Sequence, residues 1–144
     1  FHRLLDERDT EVRHGKVKRI VLCSGKVYYD LAAARDAAKA WDIEILRVEQ
    51  LYPFPDKAVT EILSKTPKAS VVWCQEEPKN MGGWTFVRDY IEDIMAETGM
   101  QQQRLVYSGR DAAASPATGT LSRHNREQND LVAAALDLPS QSKS

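Results

Sequence analysis

Lys18-Arg19-Ile20-Val21-Leu22-Cys23 runs directly into Ser24-Gly25-Lys26, and from Val27 onward the apolar residues recur at helical spacing. Four consecutive apolar residues from Ile20 to Cys23 are the pattern of a strand buried on both faces of a parallel sheet. Val27, Leu31, Ala34 and Ala38 then fall on one stripe of a 3.6-residue period and predict a helix over 26–40. The alternation repeats downstream. Further strands are predicted at Ile43–Val48, Ser70–Cys74 and Arg104–Tyr107. A helix over 56–65 starts at Asp56, an N-cap just after Pro55, and presents Val59, Ile62 and Leu63 inward. Another over 84–97 carries Trp84, Val87, Ile91, Ile94 and Met95 and is stopped by Gly99. The last, 121–137, aligns Leu121, Gln128, Leu131, Val132 and Ala135 ahead of Pro139. Strands alternating with helices over short connections require right-handed crossovers, and so a three-layer α/β/α sandwich with a mostly parallel sheet. That domain is expected over residues 18–138. Residues 1–17, with dense charge of both signs and no sustained period, read as a lead-in, and 139–144 as a polar tail.

The composition fits one globular domain: 144 residues, 42% hydrophobic, 20 Lys and Arg against 21 Asp and Glu, for a net charge of −1. A near-zero charge removes bulk attraction to nucleic acid or to an anionic membrane as a basis for function. No stretch approaches the 18 or so uninterrupted apolar residues that a spanning helix needs, and the N-terminus lacks a signal-peptide layout. Cys23 and Cys74 each close an apolar run, where small buried thiols sit in a reduced intracellular protein; a redox or catalytic cysteine is the alternative, with no CxxC to support it. The sequence begins at Phe1 without an initiator Met, which reads as a piece of something longer.

Ligands of open α/β sheets collect beyond the carboxyl ends of the strands. After the first strand, Ser24-Gly25-Lys26 opens a helix whose free N–H groups and lysine could hold an anion, or could form an ordinary turn; neither the Walker spacing nor a three-glycine fingerprint is present. After the second comes Glu49-Gln50-Leu51-Tyr52-Pro53-Phe54-Pro55, a packed loop or an inter-subunit or interdomain contact. After the third, Gln75-Glu76-Glu77-Pro78-Lys79-Asn80-Met81-Gly82-Gly83-Trp84 places two adjacent carboxylates on extended chain. Neighbours there point to opposite sides, so at most one faces a given pocket, and the other is solvated or caps the helix starting near Gly83. After the fourth lies the small-residue loop Ser108-Gly109-Arg110-Asp111-Ala112-Ala113-Ala114-Ser115-Pro116-Ala117-Thr118-Gly119, where Arg110 can offer a planar fork to a carboxylate or phosphate. His124 on the following helix has no second metal-type ligand near it in sequence and reads as a structural histidine. No nucleophile–base pair and no metal cluster stands out.

Four of these segments together resemble the C-terminal domain of the E1 component of 2-oxoglutarate dehydrogenase. They are Cys23-Ser24-Gly25-Lys26-Val27-Tyr28-Tyr29-Asp30-Leu31; Arg47-Val48-Glu49-Gln50-Leu51-Tyr52-Pro53-Phe54-Pro55; Val72-Trp73-Cys74-Gln75-Glu76-Glu77-Pro78 with Asn80 and Gly82; and Tyr107 with Gly109-Arg110, Ala114-Ser115-Pro116-Ala117 and Gly119. Ser122, His124, Gln128 and Asp130-Leu131-Val132 continue the likeness. It covers about Lys18 to Leu138, and 2-oxoadipate enzymes and bacterial 2-oxoglutarate decarboxylases share these segments.

The resemblance implies a transketolase-like C-terminal domain in a full-length enzyme that decarboxylates 2-oxoglutarate in the citric acid cycle and passes the succinyl group to the lipoyl group of E2. Thiamine diphosphate and Mg²⁺ are expected between two earlier domains of a homodimer, outside this chain, so no catalytic or cofactor-binding residue is expected here and the fragment alone should be inactive. The implied share of this domain is assembly, with a possible effector site for AMP or acetyl-CoA, for which Ser24, Lys26, Gln75 and Arg110 are the residue types to test. A cytoplasmic location in a bacterium is expected, or the mitochondrial matrix in a eukaryote; the Lys79-Asn80-Met81-Gly82 wording resembles bacterial members. The competing reading is a stand-alone α/β domain that binds a nucleotide or acyl-CoA.

Overall fold

The computed structural model describes residues 4–5, 17–48, 54–100, 102, 104–110 and 121–137. In chain order the elements are β1 (Leu4–Leu5), β2 (Arg19–Cys23), α1 (Val27–Ala38), β3 (Ile43–Val48), α2 (Asp56–Ser64), β4 (Ser70–Pro78), α3 (Trp84–Glu97), β5 (Val106–Arg110) and α4 (Leu121–Leu136). The sheet runs β1-β3-β2-β4-β5. Its four longer strands are parallel, as the unbroken apolar runs predict, and the two residues of β1 add an antiparallel edge in which Leu4 faces Val48 and Leu5 faces Arg47. Two residues are too few to leave a period in the sequence.

Side chains alternate across the sheet and make two cores. Ile20, Leu22, Leu46, Val71 and Trp73 pack with Val59 and Leu63 of α2 and Val87, Ile91, Ile94 and Met95 of α3. On the opposite face Val21, Cys23, Ile45, Val72 and Cys74 pack with Val27 and Leu31 of α1 and Leu131, Val132, Ala135 and Leu136 of α4. Each fully buried Leu, Ile or Val contributes about 1.5–3 kcal/mol.

Helix α1 and strands β4 and β5 depart most from the sequence expectation. In α1 the buried stripe continues through Arg35 rather than Ala38. The Arg35 guanidinium donates to Asp36 Oδ1 at 2.8 Å and to the Ile43 carbonyl at 3.4 Å, and it lies 5.4 Å from the Trp41 ring centroid. A charge that is so paired can stay inside, and here it ties the end of α1 to the start of β3. Strand β4 continues past Cys74 to Pro78, through an irregularity between those two residues. Strand β5 spans 106–110 instead of 104–107. Its opening rungs are supplied by side chains: Gln102 accepts from the Val71 N–H at 3.0 Å and donates to the Val71 carbonyl at 2.8 Å, while Glu92 accepts from the Leu105 N–H at 2.9 Å. Ladder pairing therefore starts one residue later, at Val72 and Val106. At the foot of the sheet, Arg19 Nε donates to the Ala135 carbonyl at 2.6 Å, closing the carboxyl end of α4.

Candidate functional site

From β2 the chain moves outward to β3, then returns across β2 to β4. The carboxyl ends of β2 and β4 therefore flank the point at which the strand order reverses, the position where open α/β sheets bind ligands. Ser24, Gly25 and Lys26 lie at one side of this point, Gln75 and Glu76 at the other. Gly25 has φ +82, a left-handed value that suits glycine and turns the chain from strand to helix. Ser24 is half-buried. Lys26 precedes α1 with its ammonium exposed, 3.5 Å from Glu76 Oε2. The two strand ends thus meet through an ion pair.

Glu76 shares the face of Cys74 and looks toward α1, while Glu77 is exposed and lies against Gly82, whose Cβ, if it had one, would stand 3.0 Å from Glu77 Oε1. Only one of the two carboxylates faces the switch point, as alternation requires.

Gln75 has a different position from the one expected of a ligand contact. Its side chain turns inward, 1% exposed. Oε1 accepts from the Trp73 indole N–H and from the Trp84 backbone N–H, each at 2.9 Å. Nε2 approaches the carbonyls of Glu77 at 3.1 Å, Pro78 at 2.9 Å and Met81 at 2.7 Å. An amide has two acceptor lone pairs and two donor hydrogens, so the group is filled by the protein. It closes the 78–84 turn and satisfies the first N–H of α3. Over this turn Lys79 Nζ sits 5.7 Å from the Trp84 ring centroid and 5.4 Å from that of Tyr107, and the two rings meet edge to face at 5.1 Å.

Arg110 closes β5 opposite Pro78, beyond Gly109. At Gly109 a Cβ would come 2.7 Å from the Gln75 carbonyl oxygen, which explains the small residue at this strand end. The proline-rich loop 49–53 and the small-residue loop 111–120 lie outside the described residues; His124 is on α4.

One participant escaped the reading of residue types. Arg47, at the end of β3 and level with Cys23, donates to Tyr29 Oη at 3.1 Å, with its guanidinium 5.2 Å from the Tyr29 ring centroid and 5.9 Å from that of Tyr28. Gln128 of α4 donates to Asp30 Oδ2 at 2.8 Å. The first turn of α1 is thereby joined to β4, β3 and α4. The signal that could have found Arg47 is a basic residue at the carboxyl end of a strand, directly after an apolar run.

The cysteines pair in register on neighbouring strands, Cys23 at the end of β2 and Cys74 within β4, both fully buried. Burial pushes the Cys74 thiol up to about 12, with Glu76 adding to the shift. Burial likewise raises Cys23, and Cys74 adds to it, while Arg47 opposes. Both stay protonated at neutral pH, which removes the nucleophilic thiolate. Among the described residues no three of His, Cys, Asp or Glu gather where they could hold a metal ion. These residues do not fit Mg²⁺ or a magnesium-bound diphosphate. The switch point presents the Lys26–Glu76 ion pair, the Arg47–Tyr29 contact and the Ser24 hydroxyl, a polar surface suited to contact with an anion or with another protein surface.

A family model described as 2-oxoglutarate dehydrogenase C-terminal matches residues 1–136. The 2-oxoglutarate dehydrogenase E1 components of Brucella anthropi and Brucella ovis are each 52% identical to this chain over 86% of its length, and that of Brucella abortus is 51% identical over the same share. The aligned region is 13% of each of those proteins, so the chain spans about an eighth of the length of the curated relatives it matches. Family match, identity and parallel sheet agree, and the chain belongs to the family of C-terminal domains of the 2-oxoglutarate dehydrogenase E1 component.

Proposed function

We propose that this chain is a noncatalytic assembly and regulatory domain of an E1 subunit whose full-length form decarboxylates 2-oxoglutarate and transfers the succinyl group to the lipoyl group of an E2 partner. The observation carrying this reading is the contrast between kinship and chemistry. Relatives named as E1 components match at 52% identity, yet the sheet edge in the described residues holds filled amides, protonated thiols and ion pairs rather than a reactive set. Thiamine diphosphate and Mg²⁺, which the family name implies for the whole enzyme, would be held by other parts of the E1 polypeptide.

Regulation would act at the strand ends. Lys26, Ser24 and Arg110 are the residue types that would meet a phosphate of AMP or acetyl-CoA. Gln75 supports the surface from beneath, because its own polar atoms are occupied. A homodimer of full-length E1 would bring this domain against its own subunit and its mate.

The test is an assay of 2-oxoglutarate decarboxylation by the chain alone and by full-length E1, with and without this domain, plus titration of each with acetyl-CoA, AMP and thiamine diphosphate. No turnover is expected from the chain alone, and loss of assembly is expected when it is deleted. Turnover by the chain, or an E1 that assembles and works without it, would overturn the reading.

A further inference from the structure

The sequence contains five sulfur-bearing residues, Cys23, Cys74, Met81, Met95 and Met100, and the structure describes all of them. Four are sealed. Cys23, Cys74 and Met95 have no exposed surface and Met100 is 2% exposed, whereas Met81 is 48% exposed. The two thiols, buried and held protonated, lack the thiolate that reacts with peroxides. A thioether has no such requirement: its sulfur lone pair is available at any pH, so access decides its reactivity. Oxidation of this domain by a peroxide therefore has one open position.

The fold fixes where that position is. The Met81 N–H donates to the Pro78 carbonyl at 2.8 Å, and the Met81 carbonyl accepts from Gln75 Nε2 at 2.7 Å. Gly82, with φ +68, then leads the chain on toward α3. Both backbone polar groups of Met81 are thus tied to β4, and neither tie involves the sulfur. Oxidation converts an apolar, flexible side chain into a polar, chiral one, and here it breaks no contact that holds the turn. At Met95, inside the core between α3 and the sheet, the same oxygen would be a buried polar atom, and costly.

We propose that Met81 is a reversible peroxide-modification site, which turns the exposed tip of the connection between β4 and α3 from apolar to polar while leaving the fold intact. This goes beyond the assembly reading and does not rest on it. The sulfur lone pair attacks one oxygen of hydrogen peroxide, and the S–O bond forms as the O–O bond breaks. Sulfur is oxidised by two electrons, and the leaving hydroxide collects the proton of the transferred oxygen as water. A reductase dithiol reverses the step, giving back the thioether with a disulfide and water.

Full-length E1 is treated with hydrogen peroxide at pH 6 and pH 8, and oxygen uptake at each methionine is followed by peptide mass spectrometry. Met81 should be oxidised at least about tenfold faster than Met95 or Met100, at the same rate at both pH values and with both thiols unmodified. Methionine sulfoxide reductases acting on the two sulfoxide epimers should restore it. Equal rates at the three methionines, protection of Met81, loss of the thiols before Met81, or a product that the reductases leave untouched would each overturn the proposal. In a second measurement, amide exchange over residues 75–84 is compared between oxidised wild-type E1 and peroxide-treated Met81→Leu, which removes the reactive sulfur at similar volume. Rates should agree within about twofold, and exchange about tenfold faster in the oxidised wild type would show that the modification opens the turn, against the proposal.

Discussion

The Gln75 side-chain oxygen accepts the backbone N–H of Trp84 at 2.9 Å, so a residue of β4 satisfies the first N–H of α3 nine positions later. The same oxygen takes the Trp73 indole N–H, and the nitrogen faces three carbonyls of the intervening turn. A single buried amide therefore fixes where the strand ends and where the helix begins.

Gln75→Ala should lower the unfolding free energy by about 3 kcal/mol or more, because several buried donors and acceptors lose partners at about 1–3 kcal/mol each. Gln75→Glu keeps the acceptor but cannot donate to the three carbonyls when ionised. Its folded-state pKa is expected to rise, so its stability should be greater at pH 5 than at pH 8. Urea titration followed by tryptophan fluorescence measures both effects, and a wild-type-like midpoint for Gln75→Ala would contradict the clamp.

Gly109 and Gly25 separate two reasons for glycine. At Gly109 the obstacle is the fixed carbonyl of Gln75, 2.7 Å from where a side-chain methyl would sit, so Gly109→Ala must push β5 from β4 at about 1–3 kcal/mol. At Gly25 nothing lies within 4 Å, and only the left-handed φ of +82 resists a side chain, so Gly25→Ala should cost about 1–2 kcal/mol. Gly25→Asn should recover most of the loss at its position, since Asn tolerates that conformation, whereas Gly109→Asn should be worse than Gly109→Ala. Thermal unfolding of these four variants tests the contrast.

Strand β3 and helix α3 were legible to the residue, because apolar runs and helical stripes come from local burial. Strand ends were not. Gln75-Glu76-Glu77-Pro78 is polar and ends in proline, which read as loop, but there the chain has passed the end of β2 and, after an irregularity, pairs with β5 at Pro78 and Arg110. The start of β5 depended on the side chains of Gln102 and Glu92, which no periodicity records. At the switch point, Ser24 and Lys26 were legible from turn chemistry. The inward turn of Gln75 was not, because its partners are set by the tertiary path of residues 77–84.

The cysteines predict alkaline sensitivity. Both thiols titrate higher in the folded chain than the ordinary value of 9.0, Cys74 at about 12. Above pH 9 the unfolded chain loses these protons while the folded chain retains them, so the unfolded state gains charge and stability falls as pH rises. Each thiol adds a slope of up to about 1.4 kcal/mol per pH unit in that window. Below pH 9 neither contributes a slope. Comparing urea unfolding at pH 8 and pH 10 for the wild type and Cys74→Ala isolates the thiol from lysines and tyrosines, and an identical pH slope in the two proteins would refute it.

Lys26 separates stability from regulation. Its ion pair with Glu76 spans 3.5 Å, but the lysine side chain is 82% exposed, so solvent screens most of the attraction. Exposed pairs of this kind are worth about 0–1 kcal/mol, and Lys26→Ala should shift the unfolding midpoint little. If an anionic effector binds where β2 and β4 diverge, the same substitution removes a cation from that point. Full-length E1 carrying Lys26→Ala should then need about tenfold more AMP or acetyl-CoA for half its response, a loss of about 1.4 kcal/mol in binding. Adding Arg110→Ala should deepen the loss if both strand ends meet the same ligand. An effector response unchanged in the double variant, alongside intact assembly, would leave the domain a purely structural part of the subunit.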